Sequence, residues 1–416
     1  MCIKRLCAVL LIMVLALPAL AVVPFAGAQE GPPRVGLRPD APRYALHGPY
    51  WVGTRTIDAN TGERPTKVLL WYPAVNPTGA EEAITYGAPI VGHALGGATP
   101  DLAHGPYPLV IFAHGMNGTP PEASYLTEHL ASHGFVVMAM AFADNMAQPM
   151  EMLPLSAFIM RPRDVSWLID YATTLNATEG DFAGMIVIDR VAVTGHSLGG
   201  YTTFAAGGAR WTAPLSADDW CTVYPDTTMP PEFGSFKLCD PSPGIAEWFF
   251  NEVAALFSLE SMPTDLYPSL GDPRIDAIVP LAPGMDFFGG AGTASVTVPT
   301  MVLVGSHDRF VFSYYDKYLP WVYENLGSDL KSLVVFDGAD HFVFPRDCDS
   351  MLSGPGAEYF WVCSDPVWDM DRAHDLTNHF ATAFLLAVLK GDAEAAAALT
   401  PDAVNFPGIT YEVQGF

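Results

Sequence analysis

Along most of the chain, apolar residues fall in short unbroken runs separated by stretches with helical spacing. The run 109–113 is followed by a helix-period segment at 124–133 and then by the run 135–142. A second helical pattern at 164–175 leads to the run 190–194. The alternation resumes with 275–281, 300–304, a helix at 314–325, the run 332–336 and a long helix at 372–390. Strands that are apolar on both faces and alternate with helices predict an α/β fold: a mostly parallel central sheet with helices on both faces. Upstream, 50–57 and 67–72 flank the turn-forming stretch 58–62 and predict an antiparallel edge.

The alternation lapses between Gly207 and Asp272. That stretch holds Cys221, Cys239, the pair Pro230-Pro231 and an aromatic helical pattern at 245–259. It predicts an insertion at about 208–272 over the carboxyl edge of the sheet, as either a lid over a site or a disulfide-pinned decoration. The Ala run 395–398 reads as an exposed helix or linker, ending a C-terminal helical extension at about 371–400.

The first residues change the picture of compartment. Lys4 and Arg5 precede an apolar run, 6–23, and the small-residue site Ala26-Gly27-Ala28. This predicts a secretory signal peptide, residues 1–28, cleaved after Ala28, with an uncleaved N-terminal anchor as the competing reading. The expected product is one domain, 29–416, secreted or periplasmic, with no membrane span after cleavage. Cleavage removes two positive and no negative charges, moving the formal net charge from -25 to -27. Such acidity argues against nucleic acid, anionic membranes and negatively charged substrates as partners, and its plainest role is solubility. Four cysteines remain. In an oxidising compartment their proximity favours Cys221 with Cys239 and Cys348 with Cys363, among three possible connectivities. No C-x-x-C spacing supports zinc, and no metal site is expected.

The chemistry centres on Gly195-His196-Ser197-Leu198-Gly199, a G-x-S-x-G pattern. It follows a strand-like run, Val191-Ala192-Val193-Thr194, and precedes the small-residue helix start Gly199-Gly200-Tyr201. So tight a strand-to-helix turn needs glycine on both sides and lifts the Ser197 hydroxyl above the sheet. A serine hydroxyl needs a histidine to take its proton and a carboxylate to orient that histidine. His341 lies just after the run 332–336, where Gly338 lets the loop bend back. His374 and His379 fall in the last helix and read as surface or packing residues, and His196 as a packed or hydrogen-bonded neighbour of the nucleophile. Two carboxylates end suitable strands, Asp308 and Asp286; Asp308 is favoured. Asp337 and Asp340 read as turn residues. The oxyanion needs two fixed N–H donors. Leu198, next to the nucleophile, is one, and Met116, in the turn His114-Gly115-Met116-Asn117-Gly118, is the other. The sequons at Asn117 and Asn176 read as chance matches.

In combination, Pro108-Leu109-Val110-Ile111-Phe112-Ala113-His114-Gly115, Leu130-Ala131-Ser132-His133-Gly134-Phe135-Val136-Val137, Arg161-Pro162-Arg163-Asp164-Val165 and Gly195-His196-Ser197-Leu198-Gly199-Gly200-Tyr201 resemble the α/β-hydrolase fold. Within that superfamily they resemble the platelet-activating-factor acetylhydrolase and dienelactone-hydrolase-like branch. Gly338-Ala339-Asp340-His341-Phe342 is similar to the His loop of polyester-degrading cutinases, whose acid stands where Asp308 does. The acetylhydrolases place theirs where Asp286 does. The resemblance implies an esterase without metal or organic cofactor, acting on short-chain or otherwise accessible, lipid-like carboxylic esters. A polyester- or peptide-hydrolysing enzyme with the same residues is the alternative, and a secreted binding protein without chemistry is the reading from another class.

Overall fold

The computed structural model describes residues 31–87, 90–142, 155–177, 179–212, 245–284, 288–308, 322–348 and 357–416, with the backbone alone at 155, 245–250 and 357–359. Its scaffold is a ten-stranded sheet. In chain order, the strands are β1 (Trp51–Asn60), β2 (Pro65–Ala74), β5 (Leu95–Gly96), β6 (Tyr107–Ala113), β7 (Val136–Met140), β8 (Ile186–His196), β9 (Ile275–Leu281), β10 (Thr300–Gly305), β11 (Lys331–Phe336) and β12 (Ile409–Gln414). A separate antiparallel pair, β3 (Ile84–Tyr86) and β4 (Ile90–Gly92), stands apart from it. Across the sheet the order is β12-β11-β10-β9-β8-β6-β7-β2-β1-β5. The six strands from β11 to β7 are mutually parallel, as their unbroken apolar runs require.

Side-chain alternation along these strands builds two cores, one on each face. On β6, Leu109, Ile111 and Ala113 join one core while Val110 and Phe112 join the other. The first core packs against α2 (Leu155–Ala177), through Val165, Leu168 and Ile169, and against α3 (Leu198–Ala206), through Phe204 and Ala205. The second packs against α1 (Ser124–Ser132), through Leu126 and Leu130, and against α6 (Met370–Lys390), through Phe380 and Phe384. Among the described residues the remaining α-helices are α4 (Ile245–Leu256), α5 (Gly289–Thr293) and α7 (Ala393–Ala397). Among the described residues no helix is long and apolar enough to cross a membrane.

Among the described residues most predicted elements are present with shifted ends; residues 1–28 and most of the helix expected at 314–325 lie outside them. α2 begins nine residues before the expected Asp164 and runs through Pro162, whose missing N–H suggests a start rather than an interior. Burial of Ala157 and Ile159 holds the turns ahead of it. The β1–β2 hairpin pairs as expected, but β2 also pairs with β7 and two residues of β5 extend the sheet beyond β1. β12, which pairs antiparallel with β11, escapes a reading by apolar runs because its residues alternate between half-buried and exposed. The Ala run is helical, yet Ala395 is buried against the second core rather than exposed. Of the insertion, 213–244 lies outside the described residues, and with it Cys221 and Cys239. Its described parts include α4 and a bridge from Thr212 to Leu266. Cys348 and Cys363 form a disulfide.

Candidate active site

β8 ends at His196 and α3 begins at Leu198, leaving Ser197 alone at the turn with φ 58° and ψ −117°. A non-glycine residue in that region costs on the order of 1–3 kcal/mol, so its surroundings must hold it there. Its amide donates to the Leu281 carbonyl at the end of β9 (3.0 Å), and its carbonyl accepts from the Tyr201 amide (3.0 Å). The neighbouring glycines are sterically required. A Cβ on Gly195 would lie 2.5 Å from the Ala113 carbonyl oxygen, and one on Gly199 would lie 1.8 Å from the same atom. The carboxyl ends of β6, β8 and β9 therefore meet at Ser197 with no room for a methyl group.

Asp308 follows β10 and His341 follows β11, neighbouring parallel strands, so both loops emerge at the same edge. Asp308 Oδ2 lies 2.7 Å from His341 Nδ1, and both side chains are buried. The two loops are laced together. His307 donates its amide to the Ala339 carbonyl (2.8 Å), and Gly338 donates its amide to Ser306 Oγ (2.6 Å). Gly338 has φ 79°, the left-handed conformation that turns the loop back. Asp340 accepts from the His341 amide (2.8 Å), a turn role as expected.

After β6, the Gly118 amide donates to the Gly115 carbonyl (3.2 Å) and closes a four-residue turn, with Met116 second and Asn117, at φ 56°, third. Leu198 is the first residue of α3, so its amide belongs to the helix N-terminus, where N–H groups lack intrahelical partners.

A buried polar layer supports this turn. Arg161 Nη1 donates to the His114 carbonyl (2.7 Å) and Nη2 to the Gly115 carbonyl (3.2 Å). Burial pulls its pKa down to about 10, so it stays charged near neutrality. Glu122 Oε1 accepts from the Gly115 amide (3.0 Å) and lies 3.1 Å from His196 Nδ1. His196 Nε2 donates in turn to the His341 carbonyl (3.0 Å), and the two imidazoles lie 4.7 Å apart between centroids. Burial is the largest single influence on Glu122 and would raise its pKa, but the hydrogen bond from His196, the charges of His196 and His114 and the Gly115 amide together outweigh it and leave the carboxyl below its ordinary value. Burial lowers that of His196.

The family model for chlorophyllases matches residues 89–217, which include β6, the turn after it, β8 and the elbow at Ser197. The chain is a member of the α/β-hydrolase superfamily. The matched family is one of ester hydrolases. No curated protein matches the chain.

In this α/β-hydrolase the predicted residues sort as follows. His341 and Asp308 are hydrogen-bonded to each other, and His196 ties the elbow of Ser197 and Leu198 to the loop of His341. Met116 lies in the turn that Glu122 connects to His196. Asp286 lies outside the described residues. His374 and His379 are both buried packing residues: His374 stacks on Tyr125 at 3.7 Å and donates to the Pro345 carbonyl, and His379 Nδ1 accepts from the Tyr44 amide. Among the described residues no group of three or more His, Cys, Asp or Glu could hold a metal ion. The reading from sequence missed Glu122 and the role of Arg161. Neither belongs to a local pattern, although Arg161 stands inside one of the runs that carry the resemblance.

Proposed function

We propose that this α/β-hydrolase is a serine carboxylic-ester hydrolase acting through an acyl-enzyme, with Ser197 as nucleophile, His341 as general base and Asp308 as the acid that orients it. The observation that carries this reading is the 2.7 Å bond between the buried Asp308 carboxylate and His341 Nδ1, on a loop bonded through His196 to the strained elbow of Ser197. With Nδ1–H given to Asp308, Nε2 is the ring nitrogen that accepts a proton. Ser197 Oγ attacks the ester carbonyl carbon as its proton passes to His341. The amides of Met116 and Leu198 donate to the resulting oxyanion. Collapse expels the alcohol, which takes the proton from His341. Water then adds to the acyl carbon, again giving a proton to His341, and the carboxylic acid leaves as Ser197 recovers its hydrogen. No step calls for a metal or an organic cofactor.

Short-chain or otherwise accessible neutral esters suit the acidic chain, and secretion after cleavage near Ala28 suits its disulfide. One observation favours a bulkier apolar substrate, a lipid-like ester or a polyester. The Phe342 ring packs edge-on against His341 (5.1 Å) and against Trp361 (5.0 Å), and Trp361 and Phe360 are exposed. Ser197→Ala is expected to abolish turnover of p-nitrophenyl acetate and butyrate while the protein stays folded, and retained turnover refutes the assignment. Covalent labelling by a fluorophosphonate separates the enzyme from a non-catalytic binding protein. A chain-length series of esters then distinguishes the short-chain from the bulky-substrate reading.

A further inference from the structure

Three loops must hold their relative positions for the proposed chemistry: the turn after β6, the elbow at Ser197 and the loop of His341. A single pair of buried side chains touches all three. Glu122 Oε1 accepts from the Gly115 amide in the turn, His196 belongs to the elbow, and His196 Nε2 donates to the His341 carbonyl. The turn is shaped around the carboxylate, since a Cβ on Gly118 would lie 1.8 Å from Glu122 Oε2. Glu122 also fixes the far side of the base's loop, because its own carbonyl accepts from the Arg346 amide (3.0 Å).

We propose that Glu122 and His196 are positioning residues for the proposed reaction, and that they share one buried proton that completes a brace from the oxyanion turn to the base's loop. Peptide carbonyls only accept, so His196 Nε2 must carry hydrogen. Peptide amides only donate, so Glu122 Oε1 accepts from Gly115. The contact between Nδ1 and Oε1 is then a bond only when a proton lies between them, whether the pair is imidazolium with carboxylate or imidazole with carboxylic acid. Without that proton two lone pairs face each other in a buried site, and the brace breaks at its centre. The surroundings favour the charged arrangement at Glu122, which is faced by His114, Arg161 and Arg346 as well as His196. They oppose it at His196, which is faced by the His341 imidazole and enclosed by the rings of Phe342 and Phe344.

The inference rests on the ester-hydrolase reading, and one set of proteins tests both. In Glu122→Gln the amide oxygen still accepts from Gly115 but has no proton to share. His196 must then draw one from solvent, without a carboxylate to hold it. We expect kcat on p-nitrophenyl butyrate to fall about 10- to 100-fold near neutral pH, as small misplacements of reacting groups do, with KM changed less than about twofold. The ratio of variant to wild-type kcat should rise as pH falls, because protonated His196 restores both bonds. His196→Gln can still donate to the His341 carbonyl but carries no titrating ring, so it should show a similar loss with a ratio that does not vary with pH. A Glu122→Gln enzyme with wild-type kcat, or with a ratio constant from about pH 5 to 9, overturns the proposal. So does failure of both variants to fold, which assigns the pair to stability alone. Absence of Ser197-dependent turnover in the wild-type protein removes the underlying reading and this proposal with it, a result visible before any Glu122 variant is made.

Discussion

Gly199→Ala tests how closely the elbow is fitted to the strand beside it. The added methyl carbon would lie 1.8 Å from the Ala113 carbonyl oxygen, 2.6 Å from the Ala113 carbonyl carbon and 2.9 Å from the His114 carbonyl oxygen. All three are backbone atoms at the end of β6, so no side-chain rotation relieves the contact. Ordinary contact begins near 3.4 Å, so the start of α3 and the end of β6 must separate by about 1.6 Å. That movement carries the Leu198 amide away from the Met116 turn, the two donors proposed for the oxyanion. A shift on the order of 1 Å in reacting groups costs roughly 100-fold in rate, and overpacking costs about 1–3 kcal/mol in stability. The assay is kcat/KM on p-nitrophenyl butyrate together with the thermal midpoint. Gly96→Ala serves as the control, since its methyl would meet only the end of the Ile84 side chain, at 3.0 Å. The expected outcome is a loss of about 100-fold or more in kcat at Gly199 and little change at Gly96. Wild-type kcat/KM and midpoint in Gly199→Ala would refute the fitted-elbow argument.

Asp308→Asn should lower kcat on the order of 10³- to 10⁴-fold, because an amide in place of the carboxylate favours the wrong imidazole tautomer. The same change at Asp286 is the comparison, and a larger loss there reverses the choice of acid. The fold should also be acid-sensitive. His114, His133, His374 and His379 have pKa values pulled down to about 4 by burial. Between about pH 4 and 6.5 each is neutral when folded and protonated when unfolded, so stability is full above 6.5 and is lost as pH falls, at roughly 1.4 kcal/mol per unit for each histidine. Urea unfolding followed by tryptophan fluorescence at several pH values reads the slope, and His374→Gln should remove one histidine's share of it. A stability independent of pH across that window contradicts the burial argument.

The parts of this α/β-hydrolase that were legible in the sequence are those whose physical cause is local. Strands buried on both faces need unbroken apolar runs, and β6, β7, β8, β9, β10 and β11 all announce themselves that way. The elbow needs glycines on both sides of Ser197 because backbone atoms at the end of β6 and the start of α3 crowd both positions. The loop of His341 needs Gly338 because its φ is positive. What stayed hidden has causes distant in sequence. β12 has a pattern set by an edge position beside β11, nearly 80 residues earlier. Glu122 is an ordinary acidic residue after two prolines, and only the fold brings it to His196, 74 positions away, and to the loop of His341. His196 was legible as a packed neighbour of the nucleophile, but its two acceptors were not. A strand or an elbow is specified by what each residue excludes from its immediate surroundings. A buried polar brace is specified by which donors and acceptors remain to be satisfied once the sheet has closed. The Ser197 elbow and the Asp308–His341 pair are thus anticipated by strand ends and glycines, whereas the network that joins them depends on the completed tertiary structure.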